Sequence, residues 1–258
     1  MPRQLLVAAS MALAACCTPW LAAGAPAPLL IAAASDLQSA LPSLIAGFEA
    51  AQGESVRVSF GSSGQFVSQI RNGAPFDLFL SADSEYAQQL IDSGHAVAAS
   101  LTPYASGRLV VWARRDRGID VRPGLRVLLD PRVRRIAIAN PDHAPYGRAA
   151  VAALRASGLL ETLQPRLVLG ENVSQAAQFV LSGNAEAGII ARSLALSPAL
   201  QDAGVYADVP PALHPPLRQA GVVIRTSSQQ ERATRFLLFL RAPASAALLR
   251  RFGFEAAP

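Results

Sequence analysis

The sequence has no lysine; all 23 basic side chains are arginine. Its two cysteines, Cys16 and Cys17, adjoin in an apolar N-terminal stretch. The rest of the chain therefore has no disulfide framework, no thiolate nucleophile and no cysteine metal site. Histidine is as scarce: His95, His143 and His214 are dispersed. Asp142 adjoins His143, but no glutamate or second histidine stands at ligand spacing, which argues against a zinc or iron centre. The four tyrosines, Tyr86, Tyr104, Tyr146 and Tyr206, are too scattered for a tyrosine-rich iron site. Charge is low, at 16% of residues, and the arginines form neither a stripe nor a recognisable module, so nucleic acid is not the partner. Gly61-Ser62-Ser63-Gly64 lacks the spacing of a nucleophile elbow and has no histidine nearby. That argues against a serine hydrolase.

What is present is a long, apolar, ordinary globular composition: 258 residues, 51% hydrophobic, with a formal net charge of +5. The first residues form a secretory signal. Met1–Arg3 supplies a short basic start, Leu5–Ala15 is apolar but too short to span a bilayer, and Ala23-Gly24-Ala25 is a small-residue cleavage site. Segment 1–25 is therefore expected to be removed on export to the periplasm. A competing lipobox, Leu13-Ala14-Ala15-Cys16, would instead put a lipid anchor on Cys16. No later run is long enough to be a transmembrane helix.

Beyond the leader, apolar strand-like runs alternate with segments of helical period. Strands are expected at 29–34, 56–60, 76–80, 108–113, 135–139, 167–169, 187–190 and 221–224. Helices are expected after Ser35, after Gly64 and Asp83, and at 147–157, 173–182 and 229–241. This order predicts an α/β fold with mainly parallel sheets. Such sheets hold ligands at the carboxyl ends of their strands. There the chain is rich in small polar residues: Ser35 and Asp36, then Ser62-Ser63-Gly64, then Asn140 to Gly147, then Gly170 to Val173. Helix starts with small residues can turn several backbone N–H groups toward one point, which suits an anion without a buried cation. Ser hydroxyls and the Tyr146 phenol add neutral donors. Serine, asparagine and aspartate are also ordinary helix caps, and Asp36 reads as one, since its carboxylate would repel an anion.

Six segments in this order, AAASDL (32–37), FGSSGQF (60–66), NGAPFDLFLSAD (72–83), ANPDHAPYGRAA (139–150), LGENVSQAAQFV (169–180) and AEAGIIARS (185–193), resemble the periplasmic molybdate-binding proteins of ABC importers. The closing RRFGF (250–254) is similar too, so the likeness runs from residue 29 to the C-terminus. It implies a type II periplasmic-binding-protein fold. Lobe I would take 26–106 and 220–258, lobe II 107–219, with mixed, mainly parallel sheets and a ligand cleft between the lobes. It also implies a monomer that delivers molybdate, and tungstate, to a membrane permease, with no cofactor and no metal except as the oxyanion. By motif, the oxyanion contacts fall on Ser35, Ser63, Tyr146 and Val173, with Asp36, Ser62 and Ala191 beside them. Some members of the family carry a binding tyrosine where this chain has Ala191; others have alanine there and the tyrosine at the place of Tyr146, which is the pattern here. Arg192 reads as solvated, and His143 as structural. A site of donors alone would reject protonated anions such as phosphate, because their O–H finds no acceptor. Another oxyanion such as sulfate, or a small organic acid, is the alternative ligand.

Overall fold

The run Leu29–Ala34 (β1) is buried along nearly its whole length, and its last three residues are alanines with at most 2% exposure. In this computed structural model, which describes residues 27–257, β1 lies at the heart of the first sheet. The leader, its cleavage site and Cys16 lie outside the described residues. A 3-10 turn at Ser35–Ser39 leads to α1 (Leu41–Gln52), followed by β2 (Val56–Gly61), α2 (Ser63–Arg71), β3 (Leu78–Ser81), α3 (Ser84–Asp92) and β4 (Thr102–Gly107). The chain then crosses at Arg108 into β5 (Leu109–Arg114), β6 (Ile136–Ala139), α4 (Pro145–Ala156), α5 (Leu160–Leu163) and β7 (Leu167–Gly170). Next come α6 (Val173–Leu181), β8 (Ala187–Ala191), α7 (Arg192–Ala195), α8 (Pro198–Ala203) and β9 (Gly204–Asp208). A Pro-rich piece brings the chain back to β10 (Leu217–Val223), α9 (Gln230–Arg241) and α10 (Pro243–Arg251).

The strands form two five-stranded sheets, β2-β1-β3-β10-β4 and β7-β6-β8-β5-β9. The α/β class and the two mixed sheets flanked by helices are as expected. Antiparallel pairing is more frequent than the strand–helix alternation suggested. In each sheet two pairings are parallel and two antiparallel, because β10 runs against β3 and β4, and β5 against β8 and β9. These are the strands next to the two crossings, where the chain passes between sheets without an intervening α-helix.

Each sheet has its own core. One centres on the fully buried Trp112 with Val110, Ile138 and Ile190. The first sheet packs Phe48, Phe236 and Leu237 on one face and Phe66, Phe79 and Leu90 on the other. Phe48 meets Phe236 edge-on, with ring centres 4.9 Å apart. The helix expected from Leu37 is interrupted: Pro42 sits in the first turn of α1, and the residues before it form the 3-10 turn instead. Proline lacks the N–H that a continuous helix would need there, so a new helix starts around it.

Candidate functional site

The carboxyl ends of β1 and β2 and the residue after β3 face the starts of α4 and α6 from the other sheet. Between them lies a small cavity, about 10 Å³, lined by Ala34, Ser35, Asp36, Gly61, Ser62, Ser63, Ala82, Ala144, Pro145, Tyr146, Asn172 and Val173. Alanines and glycine at the strand ends leave room there, and the donors come from the turns that follow.

Ser63 opens α2 and is fully buried. Its Oγ accepts the Ala82 N–H at 3.1 Å, which leaves its own proton for the cavity. Ser35 is arranged in the same way, its Oγ accepting the Ser174 N–H at 3.4 Å from across the cleft. At the start of α6 the Asn172 side chain takes the N–H groups of Ser174 and Gln175. The Val173 N–H, which neither cap contact uses, stands at the cavity wall. Ser62 is occupied elsewhere. Its hydroxyl donates to the His143 carbonyl at 2.6 Å and lies 2.8 Å from the His143 ring Nδ1. His143 thus holds a neighbouring loop in place.

Asp36 departs most from the sequence reading. It lies in the first turn, but its side chain caps nothing and is fully buried. Oδ2 accepts from the Tyr146 hydroxyl at 3.0 Å and from the Gln219 amide, while Oδ1 is buried with no partner among the described residues. Burial pushes the carboxyl up to about 6, against the lowering effect of the hydrogen bonds from Gln219, from Tyr146 and from the backbone N–H groups of Asp36 and Leu37. The same burial, with the Asp36 charge adding to it, raises the Tyr146 and Tyr104 phenols well above their ordinary value. Tyr104 in turn donates to Gln219 Oε1 at 2.9 Å. The site is therefore not composed of donors alone: it contains one acidic group, and in the closed arrangement the Tyr146 phenol serves that group.

Tyr146 also packs against the crossing strand, where a Cβ at Gly107 would collide with its hydroxyl. Ala191 is fully buried at the end of β8, paired with Leu109, and does not line the cavity. The chain turns there into α7, whose Ser193, two residues on, donates to the Asp36 carbonyl at 2.7 Å. Arg192 is not freely solvated. Its side chain is 31% exposed and reaches Asp208 at 3.7 Å, drawn back along its own sheet. Gln219, Tyr104, Ser193 and Asn172 escaped the sequence reading. The available signal was Gln219, an amide directly ahead of the apolar run Ala220–Val223 of β10.

Other contacts join the two sides of the cleft. The Gly64 N–H donates to the His143 carbonyl at 2.9 Å, and Gln65 donates to Glu171 at 2.6 Å. Arg148 donates to Asp83 at 2.6 Å and to the Tyr86 hydroxyl at 2.7 Å, with its guanidinium over the Tyr86 ring. These groups are partly exposed, so each adds little on its own. Together they define a closed cleft. Among the described residues no cluster of His, Cys, Asp and Glu could hold a metal cation.

A model of bacterial extracellular solute-binding proteins matches residues 29–255. The molybdate-binding protein of Rhodobacter capsulatus is 35% identical over 88% of this chain and 87% of its own. That of Azotobacter vinelandii is 35% identical over 97% and 96%. The solved Azotobacter vinelandii periplasmic molybdate-binding protein superposes with a TM-score of 0.83 at 32% identity, over 89% of this chain and all of that one.

Proposed function

The chain belongs to the bacterial extracellular solute-binding proteins, and from that membership we propose that it captures molybdate, and tungstate, in the periplasm and delivers it to an ABC-type importer. A solute-binding protein of this family is not an enzyme. The observation that carries the reading is the convergence of Ser35, Ser63, Tyr146 and Val173, from two separate sheets, on one small cavity rimmed by helix starts. A dianion taken out of water needs each oxygen hydrogen-bonded. Hydroxyls whose lone pairs are engaged by backbone N–H groups, together with free helix-start N–H groups, answer that need without a cation. The relatives named for molybdate support the choice of this oxyanion over sulfate or an organic acid. An organic acid calls for an arginine clamp, and the nearest arginine along the chain, Arg148, is engaged by Asp83 and Tyr86.

In this reading residues 26–106 with 220–258 form one lobe and 107–219 the other, hinged where β4 passes into β5 and near the start of β10. The monomer closes on its anion, and the importer recognises the closed form. The leader 1–25 directs export, and the competing lipobox would instead anchor the chain through Cys16.

Ser63→Ala and Tyr146→Phe test the assignment. Each removes one polar group from the wall of the cavity, so each is expected to weaken molybdate binding by roughly ten- to a hundredfold, with the far-ultraviolet circular dichroism of the parent. Unchanged affinity in both variants contradicts the assignment.

A further inference from the structure

An acidic side chain in the wall of an anion site requires a physical account. We propose that Asp36 takes part in capture as a neutral carboxylic acid whose proton, on Oδ1, is donated to the oxyanion, so that binding takes up one proton from solvent. This rests on the oxyanion reading above and assigns Asp36 a role in specificity.

Three features of the geometry lead there. Asp36 lines the cavity and is fully buried, so a carboxylate and a dianion would face each other with no water between them. Oδ2 already accepts two hydrogen bonds, from Tyr146 and Gln219, so the added proton belongs on Oδ1, which has no partner among the described residues. No cation is hydrogen-bonded to the group. The turn that carries Asp36 packs against α7, α6, α1, β2 and β1, and the charged residues on those elements are Arg192, Glu49 and Arg57. Arg192 pairs with Asp208, the Glu49 carboxylate accepts the Val56 N–H, and Arg57 is exposed. The remaining titratable neighbours, Tyr146 on α4 and Tyr104 on β4, are neutral phenols held well above their usual range. Burial has already brought the carboxyl close to neutrality, at about 6, so the further upward push from an arriving dianion protonates it.

The proton also decides selectivity. An ionised Asp36 would offer an acceptor to a protonated anion such as hydrogen phosphate. A neutral one, with Oδ2 engaged twice, presents a donor, and the site favours oxyanions that carry no proton at neutral pH. Charge balances simply: one dianion and one proton enter together, and both leave together on release.

The test is calorimetric titration of the purified protein with sodium molybdate from about pH 5.5 to 8.5 in buffers of different ionisation enthalpy, with inorganic phosphate as a second titrant. The expected result is an affinity that falls about tenfold per pH unit above about pH 6 and is level below it. Uptake should approach one proton per anion at the alkaline end, and phosphate should not bind. Asp36→Asn places an amide N–H where the acid proton would stand. It is expected to bind molybdate with no pH slope and no proton uptake, and more tightly than the parent at the alkaline end. A pH-independent parent that takes up no proton overturns the proposal, as does an Asp36→Asn variant that keeps the parent's uptake. Phosphate binding that is lost in Asp36→Asn overturns it too, since that would mark an ionised acceptor. Absence of binding by either anion at every pH overturns the proposed function, and this inference with it.

Discussion

Gly64→Ala is expected to lose molybdate affinity by on the order of a hundredfold or more while melting like the parent. Gly64 lies in the first turn of α2, where its N–H donates to the His143 carbonyl across the cleft. An added Cβ would meet that carbonyl oxygen at 2.7 Å and the His143 Cα at 3.0 Å. Both are backbone atoms of the facing loop and cannot swing aside; a third close atom, the Tyr86 hydroxyl at 2.8 Å, is the end of a side chain. The backbone part of the conflict therefore exists only when the cleft is shut. Alanine is compatible with the helix and improves its propensity, so the open molecule is not harmed. Apparent affinity falls by the fraction of molecules able to close. Titration calorimetry and thermal melting of the ligand-free variant check both halves. Parent-like affinity would mean that binding does not require the closed cleft.

The second large effect concerns stability. Asp36→Asn is expected to stabilise the closed protein at neutral and alkaline pH by on the order of 3 kcal/mol, with the gain vanishing near pH 4. The folded carboxyl is raised to about 6 from an ordinary 3.8. A raised pKa means that the folded state binds the proton more tightly than the unfolded state does. Its contribution is fully present below the unfolded value and is lost as pH rises through the folded value. Above that window the parent carries a buried charge, and the asparagine variant does not. The amide oxygen can still accept from Tyr146 and Gln219 in the place of Oδ2, so the network survives. Chemical denaturation at several pH values measures the difference. A variant less stable than the parent at alkaline pH would mean that the carboxylate is better satisfied than its burial implies.

Much of this molecule is legible in its sequence because its central strands are short apolar runs closed by small polar residues. LLIAAA, VVWA and IAIA can hardly be other than buried strands, and the serines and asparagine at their ends mark where the helices begin. The strands that escape reading are β4 and β9, TPYASG and GVYAD, which lie at the sheet edges. Edge strands tolerate Pro103 and Gly107 because one side of the ladder is unpaired, and such residues read as loop. The last helix, α10, is hidden by Pro243, which breaks the pattern after α9 and also starts the next helix at its first position. At the site, the helix-start residues are readable because local capping chemistry and anion binding draw on the same residue types. Asp36 is not, because its environment is made by Tyr146 and Gln219, 110 and 183 residues away along the chain. No local pattern tells a buried acid at an anion site from a solvated cap. Ala191 shows the converse: it sits in the right motif, but the turn into α7 leaves it in the sheet, while Ser193 reaches the Asp36 loop.

The most direct test is calorimetric titration of the purified protein near pH 7 with molybdate, alongside tungstate, sulfate and phosphate. The account predicts tight binding of one molybdate or one tungstate per chain, with sulfate far weaker and phosphate not bound. Preference for sulfate or phosphate, or no binding of molybdate, would contradict it.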